Sequence, residues 1–97
     1  MDPVRNLQKI LWYVYVLESL KDKLWYTGCT NNITKRTKEH NDGKVFATKN
    51  RRPFKLIYFE SSYNKYDAFF REKYLKSGMG KKYLKNRLKY YYGAKNK

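Results

Sequence analysis

The run Ile10-Leu-Trp-Tyr-Val-Tyr-Val-Leu17 sets eight apolar or aromatic side chains in an unbroken row. A strand points successive side chains to opposite faces, so a run with no polar alternation needs cover on both. The chain must therefore wrap other elements around this one strand. With 97 residues it has room to do so once, as a single domain with a core over about 12–90. Residues 1–9 and 93–97 read as loose ends.

Local signals supply the rest of the cover. Ser19-Leu-Lys-Asp-Lys23 carries turn chemistry, and Leu24-Trp-Tyr-Thr27 resumes the strand pattern, which predicts an antiparallel hairpin ended by Gly28. A glycine there also tolerates a bulge or a close approach. Asn31 or Asn32 can cap a helix running to about His40, stopped by Asn41-Asp-Gly43. A polar loop over 43–53 closes at Pro53, and Phe54-Lys-Leu-Ile-Tyr-Phe59 forms a third strand. Asn64 to Asp67 opens a second helix to about Lys76, and Gly78-Met-Gly80 breaks it. A third helix runs from Lys81 to about Tyr90. The order is β-β-α-β-α-α: an α+β domain with a small three-stranded antiparallel sheet flanked by helices.

Charge narrows the partner. Twenty-three Lys and Arg against eight Asp and Glu leave +15, and nine basic residues with no acidic one fall between Lys73 and Lys97. Such a field attracts polyanions, and released counterions make the binding salt-sensitive. Basic disordered tails lack aromatics, whereas 19% of this chain is Phe, Trp or Tyr. One cysteine excludes a disulfide framework and a Cys-rich zinc finger. No apolar run is long enough to span a bilayer, and no secretory leader pattern stands at the start. A cytoplasmic nucleic-acid-binding domain without membrane contact is expected.

Some polar residues sit where a plain core would not put them. At helical spacing Glu72 falls amid Ala68, Phe69, Leu75 and the stem of Lys76, and a carboxylate on an apolar stripe must be paired, metal-bound or protonated. Arg36 and His40 lie four apart and share a face of the first helix. Each has a plain alternative: a salt bridge for Glu72, a solvated surface pair for Arg36 and His40, ordinary core or edge aromatics for Tyr15 and Tyr26.

Together these residues resemble the GIY-YIG endonuclease family. Tyr13-Val-Tyr15 and Tyr26-Thr-Gly28 are similar to its two half-motifs, Arg36 in Ile33-Thr-Lys-Arg36 to its arginine, and His40 to the histidine of several members. Asp67-Ala-Phe-Phe-Arg-Glu-Lys-Tyr-Leu-Lys76 looks like the helix bearing its metal-binding glutamate, at Glu72. The resemblance runs from about Trp12 to Leu88. It is strongest to small single-domain members, relatives of the N-terminal nuclease module of the nucleotide-excision-repair C subunit. Val14 and Thr27 differ from the motif letters, Tyr13 replaces the first glycine, and Cys29 stands where the repair nuclease has a lysine. Asn86 is the one candidate for a late asparagine.

The resemblance implies phosphodiester hydrolysis with one divalent ion, Mg²⁺ or Mn²⁺, held by Glu72. Arg36 would pair with phosphate oxygens. Tyr26 would activate the water with Tyr15 orienting it, or His40 would serve as base or as proton donor to the leaving group. Lys49, Arg51, Arg52, Lys81, Lys82 and Lys85 would hold the backbone of a nucleic acid, foremost DNA, with little sequence readout and a preference for branched, flapped or damaged structures. Two other readings remain open: a non-catalytic binding module on the same fold, and a nuclease that needs a partner protein for specificity or activity.

Overall fold

A computed structural model describes residues 11–95. The expected loose lead-in over 1–9, Ile10 at the head of the first strand and the last two residues lie outside the described residues. Three strands form one antiparallel sheet in the order β2-β1-β3: β1 is Trp12–Ser19, β2 Trp25–Thr30 and β3 Phe54–Ser62. The apolar run is therefore the central strand. Its Val14 and Val16 face a cluster with Ala68, Leu75 and Leu84, while Tyr15 and Leu17 face Phe54, Tyr26, Ile33 and Leu56. Burying each such aliphatic side chain contributes about 1.5–3 kcal/mol, so both faces of β1 hold the fold together.

Helix α1, Ile33–Asn41, covers the Tyr15/Leu17 face. Asn32 caps it, its side chain accepting from the Lys35 amide at 3.0 Å. At its end Asn41 exchanges two hydrogen bonds with the backbone of Phe54, at 2.7 and 3.1 Å, as a neighbouring strand would. That clamp fixes α1 against β3. The opposite face carries α2, Lys65–Leu75, and α3, Gly78–Arg87, followed by α4, Lys89–Lys95. Asn64 caps α2 by accepting from the amides of Tyr66 and Asp67.

Four boundaries differ from the sequence expectation. Gly28 does not end β2; it lies inside the strand opposite Tyr15, and β2 continues to Thr30. The third strand runs on past Phe59 to Ser62, paired along β1. Gly78-Met-Gly80 is the first turn of α3 rather than a break, because Ser77 caps it by accepting from the Gly80 amide at 3.2 Å. A Cβ on Gly80 would lie 2.0 Å from the Tyr74 carbonyl oxygen, so glycine there permits the tight corner between α2 and α3. Finally, α3 stops at Arg87 and a separate short helix reaches Lys95, through part of the expected loose end.

The 43–53 loop is more than polar surface. Thr48 is fully buried, and a short 3₁₀ turn at Lys49–Arg51 docks onto the β1–β2 hairpin. Ser19 Oγ donates to the Arg51 carbonyl at 2.6 Å, and Arg51 pairs with Asp22 at 2.7 Å. The loop thus carries a buried hydroxyl to the end of α1.

Candidate active site

The site begins with a missing side chain. Tyr15 and Gly28 are directly paired across β1 and β2, and a Cβ on Gly28 would stand 2.4 Å from the Tyr15 hydroxyl. The tyrosine ring therefore lies across the outer strand, and glycine is required for close approach. This carries the hydroxyl of a fully buried residue to the free edge of the sheet.

Beneath it α1 supplies His40, whose ring is 0% exposed. Its Nε2 lies 2.8 Å from the Tyr15 hydroxyl and its Nδ1 2.8 Å from Thr48 Oγ1. Thr48 in turn donates, at 3.5 Å, to the Val45 carbonyl. A Tyr15 that donates to Nε2 leaves the proton of the neutral ring on Nδ1, which then donates to Thr48. Burial holds the imidazole neutral, its pKa lowered to about 4, with the nearby Arg36 charge acting the same way. Burial likewise pushes the Tyr15 phenol up to about 12; the Arg36 guanidinium opposes this, while Tyr26 and Glu72 add to it. With those two values far apart the proton stays on Tyr15.

The remaining groups converge from both faces. The Tyr26 ring stands edge-on to His40 at 5.0 Å between centroids. Arg36 pairs through Nη1 with Glu39 at 3.2 Å, and its guanidinium also interacts with the Tyr15 hydroxyl. Glu72 comes from α2 on the other face, yet its charge is felt by both the Tyr15 hydroxyl and the Cys29 thiol. Its Oε2 pairs with Lys76 Nζ at 2.8 Å, and that ammonium also sits 6.0 Å from the Tyr26 ring centroid. The apolar stripe is thus rotated enough to leave the carboxylate only partly buried.

The donor set suits a hard cation. Among the described residues no group of three or more His, Cys, Asp and Glu gathers as a metal cage. Burial, then the Glu72 charge, raises the Cys29 thiol to about 11, so no thiolate competes there. One carboxylate at an open edge, with water completing the shell, matches how Mg²⁺ is held.

The expected backbone-binding residues part company. Lys81 and Lys85 line, with Lys76 and Tyr26, a groove floored by Leu75 and Leu84 along the outer edge of β2. Lys82 and Asn86 are exposed on α3 but do not line it. Lys49 and Arg52 border a separate concavity near Pro53. Arg51 is tied up by Asp22 and lies over the Phe54 ring at 5.5 Å. Sequence reasoning missed Thr48 and took Lys76 only for its stem. For Lys76 the i,i+4 spacing from Glu72 was the available signal; Thr48 had none.

Comparison with known proteins gives the family. Residues 11–87 match the model of the GIY-YIG catalytic domain. A UPF0213 protein of Clostridium perfringens is 51% identical over 65 residues, which is 66% of this chain and 69% of that one. UPF0213 protein YazA of Bacillus subtilis is 46% identical over 71 residues, covering 72% and 71%. The solution NMR structure of a UPF0213 protein from Bacillus halodurans is 38% identical, covers 76% of this chain and 81% of that chain, and superposes with a TM-score of 0.48. The chain belongs to the GIY-YIG family of nuclease-type catalytic domains.

Proposed function

We propose that this protein is a divalent-metal-dependent endonuclease that hydrolyses DNA phosphodiester bonds with little sequence specificity. The observation that carries the reading is the meeting, across Gly28, of Tyr15, Tyr26 and Arg36 from one face with Glu72 from the other. Glu72 would hold the cation, Mg²⁺ or Mn²⁺, which when bound supplies neutralisation of the phosphate and favours ionised water.

The side chains divide the remaining work. Tyr15 has its proton committed to His40, so its oxygen faces the edge as an acceptor that orients the attacking water. Tyr26 takes the water's proton and passes its own to bulk water as the water oxygen bonds to phosphorus, and the leaving oxygen departs with the electron pair of its broken bond and is protonated from solvent. Arg36 pairs with the phosphate oxygens as their charge grows. His40 is sealed from solvent with both nitrogens engaged, so it acts on Tyr15 rather than on the leaving group. Lys81 and Lys85 hold the backbone along the groove, contacts that position without reading bases.

A nicking assay on supercoiled plasmid tests this. Wild type with Mg²⁺ or Mn²⁺ is expected to nick, EDTA to stop it, and Glu72→Ala to abolish it with DNA retardation retained. Retardation by both proteins with no nicking in any metal would instead establish a binding module or a nuclease that needs a partner.

A further inference from the structure

The face of α2 that presents Glu72 continues toward its N-terminus into Phe69 and Lys65, and the exposed rings of Tyr66 and Phe70 flank it. Tyr66 is 73% and Phe70 77% exposed, and Phe69 stands edge-on to Trp12 at 5.7 Å between centroids and to Tyr66 at 6.4 Å. Lys65 Nζ lies over two of these rings, 5.4 Å from Trp12 and 5.5 Å from Phe69. Lys73, also exposed, follows one turn after Phe69 and Phe70. Core packing does not explain rings set this far into water, and a clustered exposed apolar patch marks a binding surface.

We infer that Trp12, Tyr66, Phe69 and Phe70, with Lys65 and Lys73, form a stacking platform for an unpaired DNA strand leading to the site at Glu72. This rests on the nucleic-acid reading above. Rings with interspersed ammonium groups suit a single strand because every base has a π-face and every linkage a charge. A blunt duplex keeps its bases stacked on each other and offers the rings nothing. The rise from Phe69 to Glu72 is about 4.5 Å along a helix, near the spacing of successive nucleotides. A second copy of the chain is a poor occupant, since each copy carries +15.

The test measures binding in EDTA, apart from cutting, by anisotropy of labelled oligothymidylate against a blunt duplex of equal phosphate number. The double variant Tyr66→Ala/Phe70→Ala, at two exposed positions, should weaken single-strand binding at least tenfold and leave duplex affinity and salt slope unchanged. Tyr66→Trp/Phe70→Trp should keep or tighten it. Equal loss on both ligands, no loss, binding of an RNA oligomer only, or a protein dimer that the alanines dissociate would each overturn the platform. Failure of Glu72→Ala to stop nicking would sink the nuclease assignment without touching this result.

Discussion

The two edges of the sheet hold the same residue types to opposite ends. At the β3 edge Glu60 accepts from Arg71 at 2.8 and 3.0 Å and from the Tyr58 hydroxyl at 2.9 Å. Arg71 is itself packed between the rings of Tyr74 and Tyr83, at 5.2 and 4.8 Å. Burial pushes the Glu60 carboxyl up, but Arg71 and Tyr58 outweigh it and leave its pKa below the ordinary value. At the β2 edge Glu72 is held through one oxygen by a lysine, and Arg36 pairs with Glu39 through one nitrogen and also interacts with the Tyr15 hydroxyl. The first cluster is saturated and binds α2 to β3. In the second, a glutamate and an arginine keep coordinating capacity beside two tyrosines. Spare capacity, not residue type, separates the proposed site from a strut.

Substitution of the two arginines separates these roles most widely. Arg36→Ala should lower nicking by on the order of 10³-fold, the scale of losing one charge-stabilising donor. Its melting temperature should barely move, because a half-exposed ion pair adds under about 1 kcal/mol. Arg71→Ala should do the reverse, leaving turnover of the folded protein intact while removing about 2 kcal/mol, as expected for charge-assisted hydrogen bonds. Urea titration beside the nicking assay reads both; a stability loss shared equally by the two variants would erase the distinction.

Next in size is Gly28→Ala. The added methyl must displace the Tyr15 hydroxyl, and misplacement of about 1 Å costs about 10²-fold in rate. Adding Tyr15→Phe to that variant should cost little more, since the hydroxyl has already been moved.

A pH profile probes the buried relay. The His40 pKa, about 4 in the fold, lies below its unfolded value of about 6.5. The unfolded chain therefore binds more protons between those values, and stability falls as pH drops through that window, by as much as about 3 kcal/mol. His40→Gln should flatten this fall in urea midpoints between pH 6.5 and 4. An unchanged slope would mean the imidazole is not held neutral.

The smallest effects concern the basic surface. Lys85→Ala should weaken DNA binding several-fold and reduce the salt slope by about one. Arg51→Ala should leave both unchanged, since Asp22 already occupies it.

How much of this was legible follows from the range of each interaction. The central strand was, because a doubly covered strand is written as one contiguous run. Helix starts were, to within a few residues, at Asn31 or Asn32 and at Asn64 to Asp67, since a cap acts within three residues; the caps are Asn32 and Asn64. The α3 start was not: Gly80 reads as a breaker until the Tyr74 carbonyl is placed against it. Tyr15, Tyr26, Arg36, His40 and Glu72 stood out together through the resemblance to the family's motifs, and the fold gathers them around Tyr15. The division of labour proposed for them was hidden, because it depends on Thr48 arriving from a loop that reads only as polar.

The most direct measurement sets Glu72→Gln beside Glu60→Gln, scoring metal-dependent nicking and unfolding free energy on the same preparations. Glu72→Gln is expected to abolish nicking at near wild-type stability, and Glu60→Gln to lower stability and still nick. Nicking that survives Glu72→Gln at full rate, or is lost equally in both, would contradict the proposal.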